Sequence, residues 1–279
     1  MRPTLLFFLM LLSAGCATVA WSPHGDLTNG SGNVTQSRIA VSGASELELE
    51  NIMHLNVLLD VTVGSTPQLV IEADDNLLPF IHHVESGGQI KIWTTGNLVS
   101  AHAVRIRYAT PQLARLKVKG SVQVAVSGLR GTALALDNQG ASKIVLDGVV
   151  HTLALTSSGA GDVHAEKLIC NSADIKLYGS GDLFLGTVQG EQVKIDTSGS
   201  SDITIGGTVN SLLADSAGSG QLLLAKLATR DARVAVNGSA RAEINVSGNV
   251  EVSSGGASKV IVHGQPQHRS LKGPAIEIL

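Results

Sequence analysis

Cysteine is almost missing from this 279-residue chain: Cys16 and Cys170 are the only two, so no disulfide framework holds it together. Aromatic residues make up 3%, which leaves little material for the ring platforms that sugar-binding surfaces commonly use. Charged residues amount to 15%, the formal net charge is −3 and no cluster of Lys and Arg occurs, which argues against a nucleic-acid surface. There is no HExxH, paired CxxC, P-loop or GxSxG sequence, so the common zinc, redox, nucleotide and serine-hydrolase chemistries find no signature. After the first residues no segment sustains an apolar 3.6-residue period, and Gly, Ser, Thr and Val crowd the chain, which predicts an all-β protein.

What is abundant is glycine, 31 residues of it, and its placement is regular. Gly followed by a small residue recurs at Gly120, Gly140, Gly159, Gly179, Gly199, Gly218, Gly238 and Gly256, in steps of 20, 19, 20, 20, 19, 20 and 18 residues. Such a period marks one supersecondary unit copied along an axis. The copies read GSVQVAV, GASKIVL, GAGDVHA, GSGDLFL, GSSDITI, GSGQLLL, GSARAEI and GASKVIV. Each is a tight turn feeding a half-buried strand whose fifth and seventh positions are apolar. Upstream, Leu116, Leu136, Leu155, Ile175, Ile195, Ala214, Val234 and Val252 stand four residues before each glycine, and Ala114, Leu134, Leu153, Ala173, Val193, Leu212, Ala232 and Val250 six before. Four apolar ladders per coil, with like residues about 4.8 Å apart on successive coils, predict a β-solenoid with coils of about 20 residues. An antiparallel sandwich would fit the turn spacing but would not need the same residue types to return every coil.

The N-terminus, MRPTLLFFLMLLSAGC, has Arg2, an apolar run from Leu5 to Leu12 and small residues before Cys16. It reads as an export signal, too short for a membrane span. The Leu12-Ser13-Ala14-Gly15-Cys16 ending resembles the lipobox of bacterial lipoproteins, which would make Cys16 the acylated mature N-terminus, and Ala17 resembles outer-membrane sorting. The alternative is a plain signal cut near Ala20. Residues 17–37 are expected to form a tether, with turn chemistry in Pro23, Gly25, Asn29, Gly30, Ser31 and Gly32. Less regular strands are predicted over 38–112, at 46–50, 55–63, 68–73, 89–94 and 103–108, with a break at Glu72–Ile81 where Pro79 keeps Leu78 from helical conformation. Regular repeats follow over 113–265, and residues 266–279 are expected to be a closing cap or loose tail.

The segments Gly30-Ser31-Gly32-Asn33-Val34 and Val70-Ile71-Glu72-Ala73-Asp74-Asp75-Asn76-Leu77-Leu78-Pro79, with Gly-Ser-Gly-Asp turns such as Gly179 to Asp182, resemble the bacterial family of auto-transporter adhesin head GIN domains over roughly residues 30–265. The resemblance implies a right-handed parallel β-helix akin to that of pectin lyases, a surface role in adhesion, and no catalytic residues. The chain departs from the GSG turn at Gly120, Gly140 and Gly238, where a small residue is nevertheless kept.

The fourth repeat position forms a polar ladder, Gln123, Lys143, Asp162, Asp182, Asp202, Gln221, Arg241 and Lys259. Asp162, Asp182 and Asp202 can accept turn amides, gather a cation such as Ca²⁺, or act as an acid/base pair on a polysaccharide, and the first is the expected use. His82 and His83 near Asp74 and Asp75 are a second conceivable metal set, although adjacent strand residues point to opposite faces. Trp93, Tyr108 and Phe80 are expected to fill a wider core at the capped end; Tyr178 and Phe184 are too few for a sugar-binding stripe. Lys143, Lys176, Lys194, Thr204 and Glu243 face outward. The resulting expectation is a non-enzymatic envelope or surface module, lipid-anchored and without cofactor, whose partner is an envelope, glycan or protein ligand. The rivals are a polysaccharide-active enzyme built on Asp162, Asp182 and Asp202, and a purely structural envelope protein.

Overall fold

The computed structural model describes residues 27–279; the leader, Cys16 and the first part of the expected tether lie outside them. The protein is a β-solenoid of about 8 turns with coils of about 20 residues. No α-helix occurs among the described residues, and a single 3-10 turn spans Leu78–Phe80.

Coils stack in parallel and in the register that the repeats demand. Val124, Ile144, Val163, Leu183, Ile203, Leu222, Ala242 and Val260 form one unbroken column of paired residues, each buried to 2% exposure or less. Leu136, Leu155, Ile175, Ile195, Ala214, Val234 and Val252 form another. Each fully buried aliphatic side chain contributes about 1.5–3 kcal/mol, and the columns give every coil the same set. One inward assignment fails: Ala114 is exposed and Leu113 is buried instead.

A further inward column escapes strict alternation. Val150, Cys170 and Val188 are paired and buried, just after register irregularities at Val145/Asp147, Ala165/Ile169 and Leu185/Val188. Bulges at one corner of the coil turn the chain and shift the inward phase by a residue. Cys170 is thus a core residue, its thiol pushed up to about 12 by burial.

The repeated glycines are where the coil requires them. Gly159, Gly179 and Gly199 stand in register with φ of 126°, 153° and 125°, a region that L side chains rarely occupy. A Cβ on Gly179 would lie 2.0 Å from the Gly159 carbonyl oxygen. That carbonyl accepts the Ser180 amide at 2.9 Å, so the close approach serves the ladder of turn hydrogen bonds.

At the N-terminal end the stacking changes direction. Strand Glu46–Val63 lies between parallel neighbours, with Leu47 between Ile90 and Leu116, and Leu59 between Ile106 and Val124. Gln68–Asp74 then runs antiparallel to Val104–Thr110 and to Val34–Ile39. The tether expected through residue 37 is therefore corrected: Leu27–Asn29 pairs with Asn97–Val99, and Val34–Ile39 covers the sheet edge, which an open solenoid end must block. The expectation that Pro79 keeps Leu78 from helical conformation is corrected: Leu78 opens a 3-10 turn with Pro79 second in it, where the missing amide of proline is tolerated because the first turn of a helix leaves its amides without partners. Tyr108 is buried and its hydroxyl donates to the Ala44 carbonyl at 2.7 Å. Phe80 packs partly against the core, whereas Trp93 faces outward, half-buried, beside the His82 ring.

Residues 266–279 complete the last coil, with His268–Lys272 on Asn249–Ser253 and Ile276–Ile278 on Val260–Val262.

Candidate binding face

The aspartate column is a chain of hydrogen bonds. The Asp182 amide donates to Asp162 Oδ1 at 3.0 Å, the Asp202 amide to Asp182 Oδ1 at 2.9 Å and the Gln221 amide to Asp202 Oδ1 at 2.9 Å. Each carboxylate thus spends a lone pair on the turn of the following coil. The described residues contain no group of three or more His, Cys, Asp or Glu side chains placed to hold a metal. Neither Asp162, Asp182 and Asp202 nor the histidine pair forms a cage.

The histidine pair is separated from the acids that neighbour it in sequence. His82 Nε2 meets Thr95 Oγ1 at 2.9 Å and His83 is exposed. Asp74, its side chain 1% exposed, instead accepts Ser100 Oγ at 2.5 Å and faces His102 Nδ1 at 3.4 Å. The Ser, His and Asp here are not wired as a nucleophile triad, since the serine hydroxyl is bonded to the carboxylate rather than to the imidazole. The cluster is a clasp: Ser31 Oγ donates to Asp75 Oδ1, Asn76 Nδ2 donates to the Asn29 carbonyl, and a Cβ on Gly30 would lie 1.8 Å from Asp74 Oδ2. The two segments that carry the family resemblance in sequence therefore meet in space. Ser100 and His102 carried no motif by which to find them.

The outward side chains of the strand before each glycine build a polar face. Toward its N-terminal end, Glu50 is held between Lys91 and Lys119, each 3.0 Å away, and the Lys119 hydrogen bond, then that of Lys91, pushes its carboxyl down to about 2. Lys117 and Lys119 also flank the Glu48 carboxylate. These charges neutralise one another in place.

Farther along, two troughs run side by side over four coils. One, of about 480 Å³, lies between Lys194, Leu213, Arg233 and Glu251 on one bank and Asp196, Asp215, Ala235 and Ser253 on the other. The second, of about 460 Å³, shares the bank of Leu213, Arg233 and Glu251 and reaches to Asp231, Asn249 and His268. Arg233 is paired with Glu251 at 3.0 Å. Asp231 accepts the Asn249 amide at 2.9 Å and Arg230 Nε at 2.9 Å; the amide first and the guanidinium next hold its carboxyl below the usual range. Tyr178, on the preceding coil and outside the lining of the first trough, is 40% exposed and its hydroxyl donates to Asp196 Oδ2 at 3.2 Å.

Of the outward residues singled out in the sequence, Lys194 lines this trough. Lys176 is in register with Asp196 beside it. Lys143 lines a smaller hollow of about 300 Å³ with Asp60 and Arg105. Thr204 and Glu243 belong to the strand after the glycine, in the column that holds the stacked His164 and Phe184 rings, 5.2 Å apart.

The family profile described as "Putative auto-transporter adhesin, head GIN domain" matches residues 52–186 and 173–266. The chain belongs to this family. The Gly30 segment lies before the matched residues, while the Val70 to Pro79 segment lies within them. Among solved structures, a "putative adhesin" from Parabacteroides distasonis is similar with a TM-score of 0.67 at 18% identity, covering 91% of this chain and 100% of its own. A "putative adhesin" from Parabacteroides merdae gives 0.64 at 15%, covering 91% and 99%. A "putative lipid binding protein" from Parabacteroides distasonis gives 0.60 at 17%, covering 91% and 100%. At these identities the likeness is one of fold. No curated protein matches the chain.

Proposed function

We propose that the chain is a non-enzymatic binding module of the bacterial cell envelope, held to the outer membrane by lipid on Cys16 and presenting its pre-glycine face to a ligand. The family's adhesin description supports a surface role. The observation that carries the reading is the pair of troughs along four coils, set on a solenoid whose aspartate column is occupied by backbone amides. With the leader removed at Cys16, residues 17–26 reach at most about 35 Å to the first described strand.

Two measurements test this. The intact mass of the mature protein is expected to show an acylated Cys16 at the N-terminus; a chain beginning near Trp21 overturns the anchoring. The Cys16→Ser chain is expected to bind isolated envelope fractions saturably, with binding that survives moderate salt, and Ala235→Trp, which fills the first trough, is expected to abolish that binding. Retention indifferent to Ala235→Trp removes the trough from the function.

A further inference from the structure

The chemistry of the first trough restricts what can lie in it. Its walls carry Lys194, Arg233, Asp196 and Asp215, with Leu213 on one bank and the short side chain of Ala235 on the other, above Ile195, Ala214 and Val234. Lys194 and Asp215 are exposed, and neither side chain has a hydrogen-bond or ion-pair partner among the described residues. Asp196 receives only the Tyr178 hydroxyl. Carboxylates beside cations, offered over a shallow floor, suit a ligand that both donates and accepts along its whole length. An acyl chain would bury these charges unpaired, at a cost of several kcal/mol each. A peptide that binds by strand addition needs a free strand edge, and the strands beneath the trough are already paired on both sides. An acidic polymer would meet Asp196, Asp215 and Glu251 together.

A neutral polyol escapes all three objections. From this we infer that the trough bounded by Lys194, Arg233, Asp196 and Asp215 binds a neutral oligosaccharide laid along the solenoid axis. Sugar hydroxyls donate to Asp196 and Asp215 and accept from Lys194 and Arg233, and the exposed ring of Tyr178, tied to Asp196 through its hydroxyl on the preceding coil, offers a surface for a sugar that extends past the trough's end. Four coils at strand spacing give a length of about 14 Å, enough for roughly three sugars. This assignment rests on the binding role proposed above and names the ligand class of that face.

The test uses the Cys16→Ser chain with cello-, xylo- and chito-oligosaccharides from disaccharide to octasaccharide, measured by titration calorimetry. For at least one series, affinity is expected to rise with length to about three or four sugars and then level off. A hydrogen bond to a charged group is worth about 1.5–3 kcal/mol, so Asp215→Ala is expected to weaken binding about tenfold or more. Tyr178→Ala should weaken it similarly, and Ala235→Trp should remove it. Asp215→Asn, which keeps the shape and an acceptor, controls for folding and should bind between wild type and Asp215→Ala. If no oligosaccharide binds while Ala235→Trp still abolishes envelope retention, the ligand class is wrong and the binding face stands. If a polar peptide displaces the envelope ligand and sugars do not, the glycan assignment is likewise overturned. If envelope retention survives Ala235→Trp, the glycan trough and the proposed binding role of this face fall together.

Discussion

The backbone amide of Asp202 donates to the Oδ1 of Asp182 on the neighbouring coil at 2.9 Å. This bond closes a turn whose amide has no strand partner, and it binds two coils where their sheets part. Asp182→Ala leaves that donor without its acceptor and is expected to cost about 1–3 kcal/mol. Asp182→Asn retains an oxygen at the same place and is expected to cost less than half as much. Urea unfolding of the three proteins gives the ranking; equal loss in both variants would show that charge, not the acceptor, is what matters.

Glycine at position 179 answers to backbone geometry, not to sequence preference. Its φ of 153° and the 2.0 Å approach of a would-be Cβ to the Gly159 carbonyl oxygen combine strain with overpacking, so Gly179→Ala is expected to destabilise by at least about 2 kcal/mol. Gly32 has a φ of 84° but open space around its Cβ position. Gly32→Ala is expected to cost only about 1 kcal/mol, and parallel thermal melts separate the two.

Glu50 gives the N-terminal coils a defined acid response. Its carboxyl falls from 4.5 to about 2 in the folded protein through Lys119 and Lys91. Because the folded value is depressed, its contribution is fully present above about pH 4.5 and is lost as pH falls through about 2. Glu50→Gln is expected to be less stable than wild type at pH 7, and the gap should narrow across that window. Melting temperatures of both proteins from pH 7 to pH 2 check the sign; a gap that widens in acid contradicts it.

Cys170 is expected to be silent toward thiol reagents. Its thiol is 1% exposed and pushed up to about 12, so at pH 8 both the thiolate and access to it are lacking. In the Cys16→Ser chain, a chromogenic disulfide reagent should find no thiol under native conditions and one after unfolding. Rapid native reaction would mean that the Val150, Cys170 and Val188 column opens.

The ladders were legible because two periods reinforce each other. Leu183 and Ile203 recur at the same place in successive copies, and within each copy they alternate with outward residues, so a parallel register was the one solution. The corner column was not legible, since the bulge between Ala165 and Ile169 breaks the alternation that would have exposed Cys170 as an inward residue. The N-terminal strands were hidden for another reason: Val34 pairs with Asp74 and Leu27 with Asn97. Turn-forming residues between such strands look the same as those of a tether until the distant partner is known. The trough posed a third kind of difficulty. Lys194 could be read as outward, but the cavity exists because Leu213 and Ala235 are short beside Arg233, and the shape left by short side chains has no motif.

The last described coil yields the last prediction. Arg269 is in register with the inward column of Ala232 and Val250 but is itself exposed, placing a cation where a further coil would rest an aliphatic side chain. Its Nε donates to the Pro266 carbonyl at 3.3 Å. Inward-pointing charge and nearby proline are devices that keep an exposed strand edge from pairing with another chain. With Leu271 39% exposed in the adjacent column, replacing the charge would complete an apolar terminal surface. Arg269→Leu is expected to self-associate with rising concentration while wild type shows less association, as read by sedimentation velocity. A variant that sediments like wild type across the same range would assign the protection of this edge to Pro266 and Pro274 rather than to the Arg269 charge.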